Sequence, residues 1–127
     1  MQRIHISISV TDLDASVRFY TSLFGISPTK LKSDYAKWML DDPRVNFSLS
    51  KCCGKAGVSH LGIQVDSEDE MAVVAGRLAA ARYEVGVEDD VTCCYARQTK
   101  AWAQDPQGVP WETFVTHGDS AEYGDAA

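Results

Sequence analysis

The two stretches "HISISV" at 5–10 and "HLGIQV" at 60–65 decide how this chain is read. Each alternates polar and apolar residues with period two, the pattern of a half-buried β-strand. Their histidines align, and the second copy starts 55 positions after the first. An offset of that size between two similar strands points to a duplicated unit.

The segments after the two strands repeat one another as well. After the first, "TDLDASVRFYTSLFG" offers Thr11 or Asp12 as an N-cap, Leu13, Val17, Tyr20 and Phe24 at helical spacing, and Gly25 as a stop. After the second, Ser67 with Glu70 reads as a capping box, and Met71, Val74, Leu78 and Ala81 form the expected buried stripe. Each helix is succeeded by short strand-like pieces. In the first half they are about 27–32, "YAKWML" and "VNFSLS"; in the second, about 83–87, "TCCYA", "AWAQ" and "WETFVT". "DDPRVNFSLS" and "QDPQGVPWETF" both place Asp-Pro ahead of a strand, and aligning Val45 with Val109 sets Ser48 on Glu112. The predicted order is βαβββ, twice: an α+β chain whose modules, 1–55 and 56–117, enclose one cavity. "KCCGKAG" at 51–57 is the expected linker, and "GDSAEYGDAA" at 118–127 reads as a disordered tail.

Composition bounds the function. The chain has 127 residues, 45% of them hydrophobic, enough to bury the core of one domain. A net charge of −6 with no cluster of Lys and Arg argues against nucleic acid or an anionic membrane as partner. A small molecule is the expected client of a monomer or homodimer. No apolar run approaches the roughly 20 residues of a membrane span, and "MQRIHISISV" lacks a signal-peptide core. The expected location is the cytoplasm, where thiols stay reduced.

Three residues gather the candidate chemistry. His5 and His60 begin equivalent strands, and Glu112 lies on the last one, so pseudo-twofold packing brings two imidazoles and a carboxylate to one cavity. Such a set leaves coordination positions open and suits non-haem Fe(II). The symmetry partner of Glu112 is Ser48, a poor ligand, so the duplication predicts a lost fourth ligand. "TCCYA" adds adjacent thiols, Cys93 and Cys94. Neighbouring Cα atoms lie about 3.8 Å apart, whereas a disulfide needs roughly 4.4 to 6.8 Å. The pair is better placed to grip one soft atom, provided a turn or bulge brings both sulfurs to one side of the strand. Arg97 and Lys100 are close enough in sequence to favour thiolates. The segment 98–110 reads as a lid, and His117 as a solvated terminal histidine.

The paired halves, "HLGIQV" and "DPQGVPWE" resemble the vicinal-oxygen-chelate superfamily of glyoxalase I, fosfomycin-resistance proteins, bleomycin-binding proteins and extradiol dioxygenases. Within it, "FYTSLFG", "SHLGIQV", "TCCYARQTKAW" and "DPQGVPWETF" are similar to carbon-arsenic lyases and to cadmium-induced proteins. The resemblance implies Fe(II)- and O2-dependent cleavage of trivalent organoarsenicals, such as methylarsenite, to arsenite. It places the metal on His5, His60 and Glu112 and arsenic on Cys93 and Cys94. Cys52, Cys53 and Trp102 are accessory candidates. Two other readings stand beside it. One is a thiol protein that sequesters cadmium or arsenite without turnover; the other is a thiol transferase, against which Ser48 counts.

Overall fold

The computed structural model describes residues 1–52 and 54–124. The chain divides into two compact units, Ile4–His60 and Leu61–Ala127, the second also taking Met1–Arg3. The division falls inside one strand, so β5 (Gly57–Gln64) contributes to both.

The first unit runs β1 (Arg3–Ser9), α1 (Leu13–Phe24), β2 (Lys30–Leu31), β3 (Tyr35–Asp41) and β4 (Arg44–Ser50) before entering β5. Its strand order is β2-β3-β4-β1-β5, with β1 parallel to β4 and both hairpin pairs antiparallel. Helix α1 starts where the Asp12 carboxylate accepts from Ala15 N at 3.0 Å, and stops at Gly25, whose φ of 72° suits a residue without Cβ. The four expected stripe residues pack against Trp38, Phe47 and Leu49. Trp38 is fully buried, and its indole N–H donates to the Ile26 carbonyl at 2.9 Å. The strand expected at about 27–32 shrinks to Lys30–Leu31. Pro28 lacks the N–H that a ladder needs.

Strand β1 is covered on both sides. Ile6 and Ile8 face the α1 cluster, while His5, Ser7 and Ser9 are the buried residues. The polar side of this strand is therefore interior, the first sign that it carries chemistry.

The second unit repeats the plan with β5, α2 (Glu68–Ala80), β6 (Gly86–Cys93), β7 (Ala96–Gln104) and β8 (Pro110–Asp119). The order is β5-β8-β7-β6, with β5 parallel to β8 and the other two pairs antiparallel. Ser67 caps α2, accepting from Glu70 N at 3.1 Å, but the Glu70 carboxylate reaches back to Asp66 N, one residue earlier than a capping box requires. Met71 and Val74 are buried against the sheet; Leu78 is half-buried, and Ala81 is exposed beyond the helix end. The stripe ends early because the left-handed Arg82 (φ 72°) turns the chain away.

Three expectations for this half change. The pieces at 83–87 and "TCCYA" merge into one strand, β6, with a two-residue turn after it. Acidic Glu88, Asp89 and Asp90 are tolerated there because β6 is the outer strand of its unit and its register slips between Glu88 and Val91. The segment 98–110 is not a lid: β7 occupies it to Gln104, and the Asp105 carboxylate clamps the remaining turn by accepting from Gln107 N and Val109 N at 2.8 and 2.9 Å. Nor is the tail disordered from Gly118. The β7–β8 ladder continues through Asp119, and Gly124 forms a bridge with Cys93; residues 125–127 lie outside the described residues. No helix among the described residues is long and apolar enough to cross a membrane.

Candidate metal and thiol centre

The register shows why Ser48 and Glu112 are equivalent. In the first unit Ser7, two residues past His5, pairs with Ser48; in the second Gly62, two residues past His60, pairs with Glu112. The parallel ladders match step for step, as the duplication requires. Gly62 is needed where it stands, because any Cβ would overlap the Glu112 carbonyl oxygen and crowd its Cγ.

His5 and His60 meet in the first unit, with their Nε2 atoms 3.2 Å apart. The Asn46 carbonyl accepts from His5 Nδ1 at 3.0 Å, so a neutral His5 ring keeps its lone pair on Nε2. Ser59 Oγ lies 3.2 Å from His60 Nδ1. Both rings are thus held from behind with their outer nitrogens converging, the arrangement that orients imidazole for a metal. Two metal–nitrogen bonds of about 2.1 Å meeting near a right angle span about 3.0 Å, which this pair fits.

Glu112 is buried on β8 and is held by Lys100 of β7, whose Nζ lies 3.3 Å from Oε2. Lys100 is only 2% exposed, and its ammonium also lies 5.6 Å from the centre of the Trp102 ring. Burial pushes the Lys100 ammonium down, but Glu112 and then Cys93 and Cys94 outweigh it and raise it above its ordinary value. This buried cation is therefore paired with the carboxylate and lies within the electrostatic reach of the thiols. Of the two basic residues expected to favour thiolates, Arg97 is turned outward and paired with Asp90 at 3.1 Å. The sequence signal for Lys100 was its strand alternation with Gln98 and Trp102.

Cys93 ends β6 and Cys94 begins the turn. The two-residue loop Cys94-Tyr95, with φ of 55° and 62°, joins β6 to β7, with Cys93 opposite Ala96. Both φ values are positive, as in a type I′ hairpin turn, a conformation that ordinarily selects Asn or Gly. The turn resolves the alternation problem by bringing the sulfurs to 3.3 Å. Both cysteines are free thiols, Cys93 buried and Cys94 half-buried. Two thiolate bonds of about 2.3 Å meeting near a right angle span about 3.3 Å, so the pair is set to chelate one soft atom. The hydrogen bond with Cys93, then burial, push the Cys94 thiol up; Tyr123 and Lys100 act the other way.

Cys52 is half-buried, with its sulfur 3.2 Å from Ser50 Oγ, and is disulfide-bonded; it offers no free thiol, and Cys53 lies outside the described residues. Trp102 pairs with Glu112 across the β7–β8 ladder, and its indole donates to Glu88 at 2.6 Å. His117 is exposed as expected, with its Nε2 2.7 Å from Thr99 Oγ1. An apolar groove of about 300 Å³ beside α2, lined by Ile63, Val74, Leu78 and Trp111, holds none of the candidate ligands.

Comparison with known proteins agrees with this fold. The Glyoxalase/Bleomycin resistance protein/Dioxygenase superfamily matches residues 2–113. A trivalent organoarsenical cleaving enzyme of Bacillus sp. (strain MD1) is 43% identical over 122 residues, covering 91% of this chain and 74% of the relative. A cadmium-induced protein of Mycobacterium tuberculosis is 34% identical over 125 residues, covering 98% and 82%. Among solved structures, the Mn(II)-bound glyoxalase of Novosphingobium aromaticivorans superposes with a TM-score of 0.66 at 19% identity, covering 100% of this chain and 44% of that one. With a superfamily match across nearly its whole length and relatives above 30% identity, the chain belongs to the glyoxalase/bleomycin resistance/dioxygenase superfamily.

Proposed function

We propose that this protein is a non-haem Fe(II)-dependent dioxygenase that cleaves the carbon-arsenic bond of trivalent organoarsenicals, releasing arsenite in arsenical detoxification. The observation that carries the reading is the pair of free thiols 3.3 Å apart on a strained turn. The name of the Bacillus relative supports the substrate class. The substrate is a small molecule, with no nucleic acid or membrane involved, met in the cytoplasm by a monomer or homodimer.

Each residue has a task. Cys93 and Cys94 replace two hydroxides of a monosubstituted arsenical, each thiol proton leaving with a hydroxide as water. The carbon substituent is then the third group on arsenic, oriented by a fixed two-point grip. His5, His60 and Glu112 would hold the metal, with Asn46 and Ser59 orienting the two rings and Lys100 the carboxylate. Fe(II) held there would supply the one-electron chemistry that a reaction with O2, the cosubstrate, requires. Lys100 fixes the carboxylate and offsets negative charge at the thiols.

The test is anaerobic. Fe(II)-loaded protein is mixed with methylarsenite, O2 is admitted, and arsenic species are separated and counted. Arsenite should appear only with both Fe(II) and O2 present. The cadmium-induced relative favours one other reading, a sequestering protein. In that case methylarsenite stays bound, intact, after O2 enters, and the dioxygenase reading fails.

A further inference from the structure

The last described residues return to the thiol turn. Beyond β8, Ser120 N donates to the Tyr95 carbonyl at 2.8 Å, Tyr95 N donates to the Tyr123 carbonyl at 3.4 Å, and Gly124 bridges Cys93. The Tyr95 and Tyr123 rings meet edge to face, centroids 5.4 Å apart. Gly124 has a φ of 84°, and a Cβ there would run into the Thr92 carbonyl, so this close return requires glycine. The strap thus binds both main-chain polar groups of one left-handed residue and the strand end beside the other. A turn of two left-handed, non-glycine residues persists only where its surroundings hold it.

One side chain of the strap reaches the chemistry. The Cys94 thiol donates to the Tyr123 hydroxyl at 3.6 Å. We propose that Tyr123 is a positioning residue of the arsenical site, its hydroxyl holding the Cys94 sulfur beside that of Cys93. This rests on the reading that the two thiols bind arsenic. Once arsenic has displaced the thiol protons as water, the same hydroxyl turns from acceptor to donor and hydrogen-bonds the arsenic-bound sulfur. It therefore favours the loaded state without touching arsenic. Cys93, Lys100 and Tyr123 are the groups shown acting on Cys94, and Tyr123 alone comes from outside β6 and β7.

The experiment uses the full chain, free of metal, dialysed against phenylarsenite, with Tyr123→Phe, Tyr123→Ala and Cys94→Ser as variants. Losing one hydrogen bond to the arsenic-bound sulfur, neutral once the thiol proton has left as water, should weaken phenylarsenite binding about fivefold to tenfold in Tyr123→Phe. KM for methylarsenite should rise by the same factor with kcat, Fe(II) affinity and melting midpoint unchanged, a split that a structural role would not give. Tyr123→Phe keeps the ring against Tyr95, so the test survives even if Tyr123→Ala fails to fold. Binding by Tyr123→Phe within about twofold of the parent, while Cys94→Ser loses it, overturns the proposal and leaves the thiol reading intact. Undiminished binding by Cys94→Ser overturns the thiol reading itself.

Discussion

At the level of single residues, the proposed chemistry rests on two buried ionisable contacts. Lys100 and Glu112 are 2% and 3% exposed, so each needs the other when no metal is bound. Removing one partner of a buried pair leaves an uncompensated charge, at a cost of about 3–5 kcal/mol. Lys100→Met is therefore expected to lose about 3 kcal/mol in urea unfolding of the metal-free protein, taking the lower end of that range. Added Fe(II) should restore part of the loss, because a cation on Glu112 replaces the missing ammonium. If metal restores nothing, Glu112 is not a ligand. Glu112→Ala should in turn abolish metal binding and turnover together. The raised Cys94 thiol gives a pH dependence. The folded chain holds that proton more tightly than the unfolded chain, so the stabilisation is complete below pH 9.0, the ordinary value, and is lost as pH rises beyond it. Lys100 has the same sign, with its loss setting in above 10.5. The melting midpoint should fall on raising the pH from about 8 to about 10, and fall less in Cys94→Ser.

Among the elements, β5 and β8 are held close by an absent side chain. Gly62 lies opposite Glu112, and a methyl group there would have to push the β8 backbone away. Gly62→Ala is expected to cost about 2 kcal/mol, as overpacking typically does, and to weaken Fe(II) binding by displacing Glu112. Gly86→Ala, with open space around the added carbon, is the control and should do neither. Denaturant unfolding and metal titration of the two variants decide the point. The helices are local matters by comparison. Asp12→Ala removes the α1 cap and should cost about 1 kcal/mol without altering metal or arsenical binding.

Across the whole molecule, the units repeat one strand order but differ in how they are filled. Ile4–His60 packs Trp38, Phe47, Leu49, Tyr20 and Phe24 into one cluster, whereas the other unit's cluster centres on Val65, Met71, Ala101 and Val115. Larger aromatic burial should make opening of the first unit costlier. Native-state hydrogen exchange is expected to show β3 and β4 amides better protected than those of α2 and β6. Equal or reversed protection would mean that the aromatic cluster does not set local stability.

Features that depend on neighbours along the chain were legible in the amino-acid sequence. Period-two alternation around His5 and His60 marked equivalent strands, Asp12 and Ser67 marked the helix starts, and the duplication put Ser48 in register with Glu112. Local rules also indicated that Cys93 and Cys94 would be free thiols. They did not give the union of 83–87 with "TCCYA", because an acidic stretch reads as loop until an outer strand with a slipped register accommodates it. They missed the return of Tyr123 and Gly124, since nothing in an acidic, glycine-containing tail announces a bridge to residue 93. Tertiary packing was needed to bury Lys100 within electrostatic reach of the thiols while Arg97 pairs with Asp90, and to form the left-handed turn that puts both sulfurs on one side. The physical reason is one of range. Caps and alternation are settled within a few residues, whereas a buried charge and a strained turn exist only because groups distant in sequence hold them in place.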